Sequence, residues 1–332
     1  MTVAMPDTKP GAPWPRRLVC VSVNAAIDKT AVVPHLVPGE IHRPQMLAVL
    51  PGGKALNVAR AARTLGLEAS VIAVLGGHAG DWMEGALAAR GIRTRAVRAA
   101  GETRTCLSIL DRATGALTEF YEAGLALDAE GWSAVEAEIA AELADDPTGA
   151  LVVVAGSLPP GAQEDGYGRL TALTAAAGAR AAIDVGGAHL AAALPAGPWL
   201  VKVNAREAAA ALGFPATDEA GAVAAARQLT GRGATIAIVT RGTAGAILRD
   251  ERGRAWRIGP PPELGPYAVG SGDALLAGLA AALARGTTLP EAARHGCAAA
   301  CANAIRPGQG ELDPADATRL LPGISLEELP GS

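Results

Sequence analysis

Beyond residue 17 the chain alternates short β-branched runs with Ala/Leu-rich stretches at helical spacing. Leu18–Val23, Ser70–Leu75, Leu151–Ala155, Arg180–Asp184, Trp199–Val203 and Thr235–Thr240 read as buried strands. Lys54–Leu65, Asp81–Arg90, Gly131–Leu143 and Glu219–Leu229 read as helices. Near-continuous apolar strands separated by helices predict an α/β fold: a doubly wound, mostly parallel sheet with helices on both faces. Ligands in such sheets bind beyond the carboxyl ends of the strands. Two stretches break the alternation. Ala31–Val49 holds strand-like pieces at Thr30–Val33 and Pro44–Val49, and Thr94–Tyr121 offers three more around a turn at Asp111–Gly115. Together they predict a small second sheet, a lid from about 30–49 and 94–121.

Composition narrows the class. Half of the 332 residues are apolar, enough for a sizeable core, but only 3% are aromatic, so Ala, Val and Leu must fill it. A net charge of −4 and the lack of basic runs with interleaved aromatics speak against nucleic acid as a partner. No run of eighteen apolar residues marks a membrane span. The first sixteen residues, with Pro6, Pro10, Pro13 and Pro15, read as a flexible leader without a secretory apolar stretch, before one domain over 17–332. The expected location is therefore the cytoplasm. Cys20, Cys106, Cys297 and Cys301 lie in apolar segments with no His at ligand spacing, and read as small core residues.

Candidate chemistry falls where strands end. Val269-Gly270-Ser271-Gly272-Asp273 opens an apolar helix. Its glycines let backbone N–H groups converge on an anion, and its Asp could take a proton from an attacking hydroxyl. Ser271 or Asp273 capping the helix is the plainer alternative. Pro51-Gly52-Gly53-Lys54 also opens a helix, with Lys54 and Asn57 on one face. Ala155-Gly156-Ser157-Leu158-Pro159-Pro160-Gly161 follows a strand. In Lys202-Val203-Asn204-Ala205-Arg206-Glu207, Asn204 and Glu207 could hold a hydrated Mg²⁺ or simply cap a helix. Val239-Thr240-Arg241-Gly242-Thr243-Ala244-Gly245 suits a nucleotide rim or a plain hairpin.

The order of these motifs, with Val23-Asn24-Ala25-Ala26-Ile27-Asp28 after the first strand, resembles the phosphofructokinase B family of ribokinase-like sugar kinases over about residues 18–321. GSLPPG, Asn24–Asp28 and Thr103-Arg104-Thr105 look most like the branch containing 1-phosphofructokinase, tagatose-6-phosphate kinase and the minor 6-phosphofructokinase. The resemblance implies a ribokinase-like fold with a β lid, commonly used for dimerisation. It also implies transfer of the ATP γ-phosphoryl group, with Mg²⁺, to a ketohexose phosphate, first of all fructose 1-phosphate.

Matched positions imply Asp273 as base, with Gly270, Ser271 and Gly272 forming the anion hole. Asp28, Gly52, Gly53, Lys54, Asn57 and Ser157 would hold the sugar, Arg104 would grip its phosphate, and Arg43 would assist from the lid. Lys202, Asn204 and Glu207 match the nucleotide and Mg²⁺ region; Thr240, Gly242 and Gly245 match the ATP rim; Asn303 lies in the segment closing over adenine. Ala25, Ala55, Val203, Arg241 and Pro266-Tyr267-Ala268 depart from the usual pattern without removing a required chemical group.

Two rivals belong to other classes. One is a kinase of unphosphorylated sugars or nucleosides, against which stand Arg104 and Lys54, since a neutral substrate leaves a buried cation without a partner. The other is a non-catalytic sugar-phosphate or nucleotide-binding regulator, against which stand Asp273 and the Asn204/Glu207 pair.

Overall fold

The computed structural model describes residues 15–259, 263 and 265–330. The predicted leader falls almost wholly outside these; of it, Pro15 and Arg16 are described, and Arg16 already bonds to the carbonyl of Gly149.

The first half of the chain runs β1 (Arg17–Ser22), β2 (Ala26–Val33), β3 (Met46–Gly52), α1 (Lys54–Thr64), β4 (Glu68–Leu75), α2 (Gly77–Ala88), β5 (Arg93–Arg98), β6 (Arg104–Asp111), β7 (Leu117–Tyr121), α3 (Ala129–Leu143) and β8 (Ala150–Ala155). The second half runs α4 (Gly166–Ala176), β9 (Arg180–Asp184), α5 (Gly187–Ala193), β10 (Leu200–Asn204), α6 (Ala205–Leu212), α7 (Glu219–Gly231), β11 (Ile236–Thr240), β12 (Ala246–Arg249), β13 (Ala255–Ile258), α8 (Ser271–Ala284), α9 (Leu289–Ala304), α10 (Pro314–Leu320) and β14 (Leu326–Leu329).

Ten strands form one sheet in the order β14-β13-β12-β11-β10-β9-β8-β1-β4-β5. From β11 to β5 neighbouring strands are parallel, and β12 to β14 extend the sheet antiparallel. Side chains alternate between its faces, as strand geometry requires. Leu18, Cys20, Leu151 and Val153 pack with α1, α8 and α9 on one side. Val19, Val21, Val152 and Val154 pack with α3, α4 and α7 on the other. Both faces are therefore covered, and the all-apolar strands in the sequence follow from that.

The chain leaves β1 for β4 and β5 on one side, then resumes at β8 on the other. That reversal opens a crevice at the carboxyl ends of β1 and β8, the usual place for a ligand in this architecture.

The second sheet has the order β3-β2-β6-β7. β2 and β6 are parallel, and the other pairs are antiparallel. Its extent differs from the expectation. The segment beginning at Thr94 is not a lid strand: β5 pairs with β4 and closes the edge of the main sheet. Its sequence RTRAVR lacks the apolar continuity of a central strand, which is how a charged edge strand reads. The lid hairpin turns at Asp111–Gly115 as predicted, with the Asp111 carboxylate accepting N–H bonds from Ala113 and Thr114.

Candidate active site

A cleft of about 610 Å³ lies between the carboxyl edge of the main sheet and the lid. Strand ends supply Ser22, Ala155, Lys202, Asn204 and Thr240, while the first turns of α1 and α8 supply Lys54, Asn57 and the segment Gly270–Asp273. The lid closes one wall with Asp28, Arg104, Cys106 and Tyr121. Asp28, Cys106 and Tyr121 share one row of the lid sheet, so one face of three strands looks into the cleft.

At the centre is a knot of charge. Asp184, at the end of β9, is fully buried and accepts from Lys54 Nζ at 2.9 Å and Lys202 Nζ at 2.6 Å. Burial works against its charge, but Lys202 and Lys54 more than offset that and hold its carboxyl below the usual range. Lys54 also donates to Glu207 at 2.9 Å. Burial pulls against the Lys54 charge too, yet Asp184, Glu207 and Asp273 together raise its pKa.

Asp273 is 5% exposed and accepts a 2.9 Å bond from Asn57 Nδ2. No cation touches it among the described residues. Burial and the neighbouring Asp184 push its pKa up to about 7, against the opposing pull of Lys202, Lys54 and Asn57. A carboxyl poised there matches a general base at neutral pH. The turn before it has Gly270 in the left-handed region at φ 82°, and α8 begins at Ser271. First-turn amides of a helix lack intrahelical acceptors, which leaves Gly272 and Asp273 N–H for an anion. A Cβ at Gly272 would sit 2.3 Å from Lys202 Nζ, so the ammonium lies against this turn. Ser271 is the first helical residue and not the N-cap, and neither it nor Asp273 makes a capping bond.

Asp28 forms a second acidic point, 3% exposed and accepting from the Gly53 amide at 3.2 Å. Burial raises its pKa to about 6, with the Gly53 amide, Arg60, Asn57 and Arg104 opposing. Gly52 does not line the cleft itself; a Cβ there would lie 2.0 Å from Asp28 Oδ2. Arg104 donates to the carbonyls of Glu122 and Asn24, and its buried Nε has no partner. No carboxylate pairs with it among the described residues. Asn24 donates to Ser157 Oγ at 3.0 Å, and its own buried Oδ1 is unpartnered. Two neighbouring residues of the cleft lining thus each keep a buried polar atom without a partner.

Asn204 caps α6: its side chain accepts from Arg206 and Glu207 amides, and Glu207 accepts from the Asn204 amide. Both the capping and the cleft-lining descriptions hold, because a strand-to-helix turn does both at once. Likewise Thr240, Gly242 and Gly245 line the cleft from a hairpin, with β11 and β12 antiparallel across a 3₁₀ turn.

Besides Gly52, two expected residues lie outside the cleft lining. Arg43 is exposed, in the connection between β2 and β3. Within the hairpin the cleft is lined by Asp28, four residues of strand from Val32. That is roughly 13 Å, and Arg43 lies beyond it in the connection and does not line its own chain's cleft. Asn303 is fully buried in α9 and does not line it either. Its Nδ2 donates to Tyr267 O, Val269 O and Ser271 Oγ, and its Oδ1 accepts from the Gly310 amide at 2.7 Å. It braces the anion turn from behind, and Ala300, Cys301 and Ala304 face the cleft in its place. Asp184 escaped the sequence reading, since it looks like the last residue of a buried strand.

This is the fold and site of an ATP-dependent sugar kinase. A model of the pfkB family of carbohydrate kinases matches residues 16–316, and the chain belongs to that family. It is 38% identical over 273 residues to a 1-phosphofructokinase of Xanthomonas campestris pv. campestris, covering 80% of this chain and 83% of that one. It is 35% identical over 280 residues to a 1-phosphofructokinase of Rhodobacter capsulatus, covering 84% and 87%. The crystal structure of phosphofructokinase-2 from Escherichia coli in complex with substrates and products superposes with a TM-score of 0.84 at 28% identity, over 92% and 99% of the two chains.

Gly52→Ala is expected to displace Asp28 while leaving the lid strands paired. Steady-state kinetics should show at least a tenfold loss of kcat/KM, a 1.4 kcal/mol penalty, with Tm nearly unchanged. A variant within twofold of the parent would show that Asp28 has no role in binding.

Proposed function

We propose that the chain phosphorylates a ketohexose phosphate, fructose 1-phosphate to fructose 1,6-bisphosphate, and that Asp273 is the base. The observation that carries this reading is the poised, cation-free Asp273 carboxyl beside helix amides that have no intrahelical acceptor, in a cleft also lined by Arg104, which has no carboxylate partner among the described residues. The two relatives of 35–38% identity are 1-phosphofructokinases, which supports the choice of sugar.

The acceptor hydroxyl would be held against Asp273, with the sugar ring on Asp28, Gly53, Asn57 and Ser157. As its oxygen bonds to the γ-phosphorus, the bond from that phosphorus to the bridging oxygen breaks and ADP departs; Asp273 takes the hydroxyl proton. Phosphoryl transfer asks little covalent work of a protein, so positioning and charge neutralisation dominate. The Gly270–Gly272 turn and Lys202 would neutralise charge on the transferring group. Thr240, Gly242 and Gly245 would border the nucleotide, and the lid would exclude water.

Mg²⁺ fits the donor set. Asn204 and Glu207 face the cleft, and each Glu207 oxygen keeps a lone pair beside its present bond. No group of three His, Cys, Asp or Glu side chains able to cage a metal occurs among the described residues, as suits an ion held mainly by phosphates and water. When bound, Mg²⁺ would supply charge neutralisation to the phosphates, and Glu207 would hold it through water, with Asn204, whose Oδ1 already accepts two amides, fixing Glu207 in place.

Lys54 no longer argues for a phosphorylated sugar, since its charge already has Asp184 and Glu207 as partners. Arg104 does. A charge-assisted contact to phosphate is worth about 1.5–3 kcal/mol. Arg104→Ala should therefore lower kcat/KM for fructose 1-phosphate roughly 10- to 200-fold and hardly change any weak activity on fructose. Assays with Mg-ATP on fructose 1-phosphate, fructose 6-phosphate, tagatose 6-phosphate, fructose, ribose and adenosine test the assignment. Equal losses on fructose and its phosphate would return the neutral-sugar kinase to first place.

We read residues 17–332 as one kinase unit that dimerises through its lid. Across the lid sheet Val49, Lys29, Leu107 and Phe120 share a row on the face opposite Asp28. Leu47, Val49 and Phe120 are 56%, 38% and 58% exposed, an apolar face suited to a second lid. Four free thiols, all buried, suit the reducing cytoplasm, and no described helix is long and apolar enough to cross a membrane. Phe120→Glu should halve the mass seen by light scattering; an unchanged dimer, or a parent already monomeric, would refute the lid interface.

A further inference from the structure

Behind the base lies a buried cation that the reaction described above does not use. Arg60 is one turn beyond Asn57 on α1, and its side chain is 1% exposed. Its Nη2 donates to Asn57 Oδ1 at 2.7 Å and to the Gln309 carbonyl at 2.6 Å, and its Nη1 donates to Glu311. Glu311 is one-third exposed and also accepts from Arg90.

The amide of Asn57 has two ends of nearly the same shape, and its partners alone decide which end points where. Arginine is a donor with no acceptor, so only Oδ1 can face it. The Nδ2 end is thereby delivered to Asp273, 2.9 Å away. Turned over, the amide would set N–H against guanidinium and oxygen against carboxylate. A protonated Asp273, however, could donate to that oxygen. The turned amide and the neutral base thus favour each other, and Arg60 opposes the pair, as does the Asp28 carboxylate that also faces the Asn57 amide.

We propose that Arg60 is a positioning residue for phosphoryl transfer: it orients the Asn57 amide so that an N–H faces Asp273. This rests on Asp273 being the base. The charged groups that face Asp273 are Lys54 on α1, Asp184 on β9 and Lys202 on β10. Those that face Arg60 are Glu311, Arg90 and, on the lid, Asp28.

The test is the pH profile of kcat/KM for fructose 1-phosphate at saturating Mg-ATP. All variants and their parent carry Asp28→Asn, because Arg60 also holds the Asp28 pKa down; on that background Arg60→Met should move the acid limb up by about 1 unit, so that activity falls roughly tenfold more at pH 6 than at pH 8.5. Arg60→Lys restores a donor-only cation and should bring the limb back toward the parent. Glu311→Gln leaves the cation without its counter-charge and should move the limb the opposite way, down by a few tenths of a unit. That side chain is partly exposed, so it carries the test should Arg60→Met fail to fold. A pH-independent loss in Arg60→Met, or an upward shift in Glu311→Gln, would overturn the proposal. Asp273→Asn measured alongside separates the two claims: if it stays within a few-fold of the parent the base reading has failed, whereas an inactive Asp273→Asn with an unmoved limb in the Arg60 and Glu311 variants fails the positioning role alone.

Discussion

The pairing of one buried carboxylate with two ammonium groups is the constraint from which the rest of the site follows. Asp184 holds Lys54 and Lys202 at 2.9 and 2.6 Å, and Lys54 reaches on to Glu207. Counting Asp273, two cations meet three carboxylates. The negative charge in surplus settles where no cation makes contact, on Asp273, and burial there lifts its pKa toward neutrality. A buried ion cluster of this kind is costly to assemble and strongly destabilising to break in half. Its value lies in what it leaves uncompensated: a basic oxygen beside free helix amides and a lysine.

The fold delivers these charges from separate places. Asp184 ends β9, and Lys202 sits midway along the neighbouring parallel strand β10. Lys54 opens α1, reached only after the chain has passed through two lid strands, and Asp273 opens α8 much later. Parallel strands point their carboxyl ends the same way, and helix N-termini return to that same edge, so charges remote in sequence converge with little loop. The lid adds Asp28 and Arg104 from adjacent strands, Ala26 pairing with both Gly52 and Arg104.

Local patterns in the sequence carried much of this. The apolar strands, the glycine turns before Lys54 and Asp273, and the lid hairpin all have signatures a few residues long. What was illegible depends on distant partners. Asp184 ends an apolar run like any strand residue, and only the approach of Lys54, 130 residues away, gives it meaning. Lys54 counted against a neutral sugar because its carboxylate partners were invisible in the sequence. Asn303 and Arg43 sit in the expected segments, but helix phase turns the first behind the anion turn, and strand length carries the second away from the cleft. The run from Thr94 alternates like a lid strand, and its pairing with β4 is a tertiary fact. Arg60 passes for a solvated helix position until its 1% exposure is seen.

Asp273 carries a charge that the fold barely tolerates. This is tested most directly by the stability of Asp273→Asn relative to the parent across pH, measured by urea denaturation. A carboxyl near 3.8 when unfolded and about 7 when folded binds more protons in the native state over that interval. The parent therefore loses stability as pH rises from about 4 to 7, by on the order of 1.4 kcal/mol for each unit of separation. The variant has no such group, so its advantage should grow through that window and level off above pH 7. A stability difference that stays flat across the window, or that runs in the parent's favour as pH rises, would show that burial does not disfavour the Asp273 charge.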